Sequence, residues 1–369
     1  MIDQTEADGQ TSSDGLARPT PGPASRWTTA RAAIVWTLVI GAAGGLALGW
    51  LIPIEVTDSP AWQTVVWLAF MVRTFTFHAG FAVAAVAVYA AAFRLWKPAI
   101  ACVPLLLVTL GPTAMSYIEK SPSRVAGTSI KVMSCNLLVG SGSEATAAEY
   151  IFERDPDLVF FQEYTPESHE RLTRVLGDKY PHIVTSLRDD AFGQAIYSKR
   201  PMSDVKLYPP PVSDARPANR RIASPTEPQI RCVIDLDGRE VVLQNVHDMP
   251  PANPTLLQDQ LRYFEWLRDF TQAERRPVVL AGDFNSTTNS TPMRQLRQNG
   301  FSNSHLSAGR GRGSTWVDVT WLRHLPGVRI DHIFVSSELT CTTSEVGPST
   351  GSDHRPIIAT VGFREPSRE

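Results

Sequence analysis

The chain has 369 residues, a formal net charge of -2 and 20 % charged residues, too long for a disulfide-stapled miniprotein and too close to neutral for a general polyanion binder. Its 43 % hydrophobic content is ordinary for a globular protein. The distribution is not: from Ala30 to Lys120 the only charges are Arg31, Glu55, Asp58, Arg73, Arg94, Lys97, Glu119 and Lys120, so a membrane part and a soluble part are expected.

Residues 1–29 are rich in Gly, Pro, Ser, Thr and Asp and hold no aliphatic run able to offset the entropy of ordering, which predicts a disordered tail. Ala32 to Ile52 then runs 21 residues without a charge, and at about 1.5 Å per residue some 20 residues cross the hydrocarbon core. That run exceeds a signal peptide's apolar stretch and no small-x-small cleavage site follows it, so a retained anchor is expected. Thr74 to Phe93 and Pro98 to Ile118 are two further uncharged stretches, giving about three transmembrane helices near 32–52, 74–93 and 98–118 within residues 30–120. Ala61 to Val72 is apolar but too short to cross alone; it is expected to lie in the interface or to extend the second helix, with His78 packed or interfacial. Arg18, Arg26, Arg31, Arg94 and Lys97 fall on one side of these spans, which marks that side as cytoplasmic and places everything after about Ser121 outside the cytoplasm.

Residues 121–369 carry 28 Lys and Arg against 30 Asp and Glu, again -2, and read as one large domain. Short β-like runs recur at Ile130–Asn136, Leu158–Gln162, Gln194–Ser198, Gln229–Leu236, Glu240–His247, Pro277–Gly282, Arg329–Val335 and Ile357–Val361. Helical patterns fall between some of them, at Ala145–Arg154, Pro166–Leu176, Leu256–Ala273 and Thr291–Asn299. Strands joined sometimes with and sometimes without a helix predict a mixed sheet.

Polar residues cluster just past the strand ends, where a sheet holds loop chemistry rigidly. Asn136 closes KVMSCN, Glu163 follows DLVFFQ, His247 closes QNVH, Asp283 and Asn285 stand in GDFN, Asp331 and His332 in RIDHIF, and Asp353 and His354 in SDH. An oxygen-rich set of this kind suits a hard cation, Mg²⁺ or Mn²⁺, and no cysteine or paired-histidine motif offers a zinc site.

These motifs, in this order, resemble the endonuclease/exonuclease/phosphatase superfamily of DNase I-like phosphoesterases over about Ile130 to Phe363. The resemblance implies an α/β (α+β) fold, a four-layer α/β/β/α sandwich of two mixed sheets, here preceded by the membrane helices. It also implies metal-assisted attack of an activated water on a phosphate ester or pyrophosphate. Asn136, Glu163 and Asp353 would be the metal ligands. Asp283 and Asn285 would position and activate the water and hold the phosphoryl oxygens, His354 oriented by Asp331 would act as base or phosphate clamp, the family's base being described as either the Asp or the His-Asp pair, and His247 would stabilise the phosphoryl group or protonate the leaving group. The chain departs from the family's usual Asn-Ser/Thr-His-Leu with Asn245, Val246, His247 and Asp248, which leaves the role of His247 open. His332, beside Asp331 on a strand, points to the other face and reads as structural.

The layout resembles bacterial three-span members typified by the teicoplanin-resistance membrane protein, which implies a lipid pyrophosphate such as undecaprenyl pyrophosphate as substrate, with the bilayer as partner and no stable nucleic-acid partner. An extracytoplasmic nuclease and a non-catalytic receptor for phosphorylated ligands are the alternatives. Pro209–Pro228 reads as a flexible insertion or a gating loop. GRGRGSTW, Gly309 to Trp316, lacks the lysine and spacing of a phosphate-cradling loop, so any phosphate contact there would be made by arginine. Trp316 and Trp321 read as core or as contacts to lipid or base, and the four cysteines as buried free thiols.

Overall fold

In a computed structural model of the chain, residues 23–120, 124–208, 229–317 and 326–365 are described. The N-terminal tail before residue 23, the Pro209–Pro228 insertion and Trp321 lie outside them. Four helices come first, α1 (Pro23–Leu51), α2 (Pro60–Thr74), α3 (Thr76–Ala92) and α4 (Trp96–Met115). The segments Trp27–Leu51 and Trp96–Met115 are each long and apolar enough to cross a membrane; α2 and α3 qualify only as a pair, and they meet at a bend of 70°.

The contacts show how these helices run. Val35 and Val39 of α1, Val83 and Ala90 of α3 and Cys102 of α4 form one apolar cluster. Arg31, near the start of α1, lies 4.4 Å over the ring of Phe93, just past the end of α3. At the opposite end, Arg73 donates from Nε to Gly49 O (2.7 Å) and from Nη2 to Ile52 O (2.6 Å). Thus α1, α3 and α4 alternate in direction, with Arg31, Arg94 and Lys97 at one end and the rest of the protein at the other.

The stretch expected to lie in the interface or to lengthen the second span is instead a separate helix. Ser59 caps it and Pro60 starts it. Its buried Val66, Ala69 and Phe70 pack on Leu257 and Leu261 of the C-terminal portion. The Arg73 guanidinium closes the joint: besides the carbonyls at the end of α1 it donates to Thr291 Oγ1 (2.6 Å), while Asn289 Nδ2 donates to Arg73 O (3.2 Å). Helix C-termini leave carbonyls unpaired, and here a cation satisfies them.

The remainder is a sandwich. In chain order it comprises β1 (Val125–Asn136), α5 (Glu144–Arg154), β2 (Leu158–Gln162), α6 (Pro166–Leu176), β3 (His182–Ser186), β4 (Gln194–Ser198), β5 (Met202–Tyr208), β6 (Gln229–Leu236), β7 (Arg239–His247), α7 (Pro254–Ala273), β8 (Val278–Asp283), α8 (Thr291–Gln298), β9 (Ser302–Asn303), α9 (Ser304–Ala308), β10 (Asp331–Val335), β11 (Leu339–Val346) and β12 (Ile357–Arg364). One sheet has the order β11-β12-β1-β2-β4-β3 and the other β5-β6-β7-β8-β10-β9. Within each sheet a single pair is parallel, β1 with β2 and β7 with β8, and the other pairs are antiparallel.

Alternation of side chains builds the layers. Ile130, Val132, Leu158 and Phe160 of the first sheet meet Ile230, Cys232, Leu243 and Val279 of the second in the central core. The opposite faces, Met133, Cys135, Val159 and Phe161, pack on Ile151 and Leu172 of α5 and α6. Val242, Val246 and Leu280 pack on Phe264, Leu267 and Leu296 of α7 and α8. Two mixed sheets in an α/β/β/α sandwich are therefore present, as the resemblance implies, and the four cysteines are free and buried.

Replacing Arg73 by Ala should leave the carbonyls of Gly49 and Ile52 and the hydroxyl of Thr291 without this donor. A loss on the order of 3 kcal/mol is expected, read as a lower unfolding temperature of the full chain in detergent; an unchanged midpoint would show that the guanidinium does not hold the joint.

Candidate active site

The two parallel strand pairs aim their C-terminal ends at the same place. Asn136 ends β1 opposite Gln162 of β2, and Glu163 follows in the left-handed conformation (φ 55°). On the other sheet His247 pairs with Asp283, which also pairs with Asp331. Glycine 282 is required between them: its φ is +152° and a Cβ would stand 1.8 Å from Val246 O.

Asp283 is the hub. Its Oδ2 accepts from Asn136 Nδ2 (3.2 Å) and Asn285 Nδ2 (3.3 Å), and its Oδ1 from the Asn285 backbone N–H (2.8 Å). His354 Nε2 stands 3.7 Å and His247 Nε2 3.9 Å from the same Oδ2. Asn136 Nδ2 also donates to Glu163 Oε1 (3.2 Å), and Glu163 Oε2 accepts from Val139 N–H (2.9 Å). His354 Nδ1 lies 2.9 Å from Asp331 Oδ2, and its Nε2 is 3.9 Å from Asp353 Oδ1. All eight residues singled out in the sequence thus stand in one connected network spanning both sheets.

The environment separates the two histidines. Burial, helped by the nearby His354, pushes His247 down to about 4, so it is neutral near pH 7. Burial acts the same way on His354, but the Asp331 and Asp283 carboxylates outweigh it and hold that imidazole above its ordinary value. Asp283 is raised, first by burial and then by Asp331, against the lowering effect of His354. Asp248 is buried beside the centre rather than solvated, and burial raises it well above the usual carboxylate range; its backbone carbonyl accepts from Asn285 Nδ2 (2.8 Å). His332 bonds Ser286 O and Asn303 on the far face of β10 (3.0 Å each), a structural role.

Asp283, Asp331 and His354 bring potential ligand atoms within 4.8 Å of one another. These atoms are engaged with each other, however, and a histidine kept charged by two carboxylates has no lone pair for a metal. The all-oxygen alternative fits a hard divalent cation better: the Glu163 carboxylate, Asn136 Oδ1, which accepts from Leu138 N–H (3.0 Å) and has a second lone pair, and Asp353, whose buried Oδ1 has no hydrogen-bond partner among the described residues.

Several supports were not apparent in the sequence. Gln162 Nε2 donates to Asn245 Oδ1 (2.8 Å), and Asn245 Nδ2 reaches Phe161 O (3.0 Å) and Ala195 O (3.1 Å), stitching the sheets together beneath the site. Gln260 Nε2 holds Asn285 O (3.0 Å), which supports the left-handed Asn285 (φ 45°). Thr315 Oγ1 accepts from Asp331 N–H (3.2 Å), and Trp316 Nε1 donates to Asp353 Oδ2 (3.0 Å). Only the placing of Gln162 and Asn245 beside motif residues hinted at such roles. Because Asp331 supplies the largest raising influence on His354, Asp331→Asn should make that imidazole titrate at lower pH than in the wild type, followed by NMR of histidine-labelled, metal-free protein; an unmoved titration would contradict the pairing.

Residues 133–354 match the family described as the Endonuclease/Exonuclease/phosphatase family. A search of the curated proteins finds no match. Among solved structures, an endonuclease/exonuclease/phosphatase from Beutenbergia cavernae is 20 % identical with a TM-score of 0.52, covering 65 % of this chain and 72 % of that one. A functionally unknown conserved protein from Enterococcus faecalis is 18 % identical with a TM-score of 0.53, covering 64 % and 100 %. D. rerio TDP2, solved with a single-strand DNA product, is 16 % identical with a TM-score of 0.50, covering 64 % and 100 %. At these identities the likeness is one of fold; the family match spans more than half of the chain and includes every one of the eight site residues, and members of the family are metal-dependent hydrolases of phosphoester bonds. The chain belongs to the endonuclease/exonuclease/phosphatase family.

Proposed function

We propose that this protein is a membrane-anchored, Mg²⁺-dependent phosphoesterase that hydrolyses the phosphate ester or pyrophosphate of a membrane lipid, of which undecaprenyl pyrophosphate is an example. The observation that carries this reading is the joint between helices and catalytic portion. A long flexible tether would let the enzyme meet soluble substrates freely, whereas α2 packs on α7 and Arg73 bonds Thr291, six residues beyond Asn285. The catalytic portion is thereby kept at the helix ends, where lipid head groups are concentrated.

Glu163, Asn136 and Asp353 would hold Mg²⁺, with Mn²⁺ as a substitute. Bound there, the ion would neutralise phosphate charge and stabilise the leaving oxygen. Asp283, fixed by Asn136 and Asn285 and raised towards neutrality, takes the proton of the attacking water. His354, kept charged by Asp331, serves as the cationic clamp on a phosphoryl oxygen rather than as the base. Neutral His247 contributes a hydrogen bond to the phosphoryl group instead of a full charge.

The catalytic portion lies at the end of α1, α3 and α4 away from Arg31, Arg94 and Lys97, and positive charge marks the cytoplasmic end. The reading therefore places catalysis outside the cytoplasm, at the plasma or inner membrane.

Glu163→Ala should lower Mg²⁺-dependent phosphate release by about a thousandfold, the scale of several kcal/mol of lost charge stabilisation, while the unfolding temperature stays near that of the wild type; retained activity would sink the metal assignment. The substrate is tested by measuring release from lipid pyrophosphates and phosphatidic acid beside cleavage of plasmid DNA, and DNA cleavage with intact lipids would favour the nuclease reading instead. A reporter fused after Glu369 should be accessible only from outside the cytoplasm, and a cytoplasmic signal would overturn the topology.

A further inference from the structure

Where the helices meet the catalytic portion they line a half-open cavity of about 430 Å³. None of the eight site residues lines it. One wall is formed by the ends of α3 and α4, including Phe77 and Val108, and another by the catalytic portion, including Arg312 of the GRGRG segment, Arg329 and Thr287. Lys120, just after α4, completes it. Two short stretches connect this cavity to the catalytic network, since Thr287 follows Asn285 by two residues and Arg329 precedes Asp331 by two.

The charges around the cavity do not balance. Lys120, Arg312 and Arg329 line it, and among the described residues no carboxylate does. Arg329 Nη1 donates to the Arg312 backbone carbonyl (3.0 Å), and its Nε is shut off from solvent with no acceptor among the described residues. Arg312 stacks 3.5 Å from the Phe77 ring centroid and bonds Gly327 O. Lys120 Nζ donates to His305 O (2.9 Å) and Gly309 O (2.8 Å), which leaves one of its three N–H groups over. Thr287 Oγ1, Trp50 Nε1 and Thr74 Oγ1, all lining the cavity, are likewise buried without a partner. Burial holds all three cations below their ordinary pKa, and Arg329 is lowered further by Arg312 and Lys120 by Arg329. Sheltered like charges with spare donors are costly unless an anion joins them, and phosphate is the anion whose several oxygens match guanidinium and hydroxyl donors together.

We propose that this junction cavity is a phosphate-binding site, distinct from the catalytic centre, in which Arg312, Arg329 and Lys120 hold the phosphate head of a membrane lipid. The helix wall with Phe77 and Val108 then faces the lipid's apolar part. The assignment rests on the helices lying in a bilayer, as the proposed function does, but it is a statement about binding and is tested without turnover.

The full chain in detergent with EDTA is mixed with dioleoyl phosphatidic acid or with dioleoylglycerol, which shares its chains but lacks the phosphate, and retention is read by native mass spectrometry. Phosphatidic acid should be retained about tenfold over dioleoylglycerol, and Arg312→Gln and Lys120→Gln should each remove most of that preference, with Arg312→Lys restoring part of it. Lys120→Gln carries the test should Arg312→Gln not fold, as judged by its unfolding temperature. Inorganic pyrophosphate is the second probe: if it raises the unfolding temperature of the wild type but not of these variants, and phosphatidic acid is not retained, the site takes free phosphate instead of a lipid head. Folded variants that keep the wild-type preference, or a wild type that binds neither probe, would overturn the site. Glu163→Gln should retain phosphatidic acid like the wild type; loss of retention there would move the phosphate to the catalytic centre and overturn the separate site. Hydrolysis surviving in Glu163→Gln would count against the proposed function alone.

Discussion

Two carboxylates from different sheets, Glu163 and Asp283, are held on either side of one side-chain nitrogen, Asn136 Nδ2. Bringing such groups together out of water is unfavourable unless donors lie between them. The rest of the two-sheet sandwich can be understood as the means of keeping that amide in place. β1 must run parallel to β2 so that Asn136 and Glu163 leave the first sheet together, and β7 parallel to β8 so that His247 and Asp283 leave the second. The Gln162–Asn245 hydrogen bond then fixes one sheet against the other beneath the site.

The N-terminal helices are tied to this arrangement rather than appended to it. Helix α2 fills the surface of α7, and Gln260 of α7 in turn holds the Asn285 carbonyl. Arg73 closes the end of α1 while bonding Thr291, at the start of α8. A continuous path of packed side chains and hydrogen bonds therefore runs from the end of α1 to Asn285, just past the end of β8. The cavity at the junction accordingly lies next to the candidate site, with Thr287 two residues after Asn285 and Arg329 two before Asp331.

How much of the fold was legible depended on where each strand sits. The eight strands anticipated from the sequence occupy the interior of the two sheets, where burial on both faces demands continuous apolar runs such as LVFF and VVLA. The strands not anticipated are β11 and β3 at the edges of one sheet and β5 and β9 at the edges of the other. Edge strands are wetter and carry polar residues; β5 reads MSDVKLY and β11 ends in TSEV. Their strand character comes from a neighbour's hydrogen bonds and not from their own pattern. Likewise the 61–72 stretch was visible as apolar, but its partner, α7, is some 190 residues away in the chain, so only the folded structure could show what it covers.

Residue types past the strand ends were enough to suggest a hard-cation site, because the set is rich in oxygen donors, and their resemblance to the endonuclease/exonuclease/phosphatase family implied phosphoester chemistry. Length and the absence of charge likewise determined that the N-terminal part contains segments able to span a membrane. Protonation was decided by the tertiary structure alone. His247 ends β7 and His354 precedes β12, and nothing in the residue type separates them, yet one is made neutral by burial and the other kept charged by Asp331 and Asp283. The gathering of Lys120, Arg312 and Arg329 around one cavity was also a tertiary matter. Both outcomes depend on distances between groups far apart in the chain, and electrostatic energy varies with those distances and with exclusion of water, neither of which is written in local sequence.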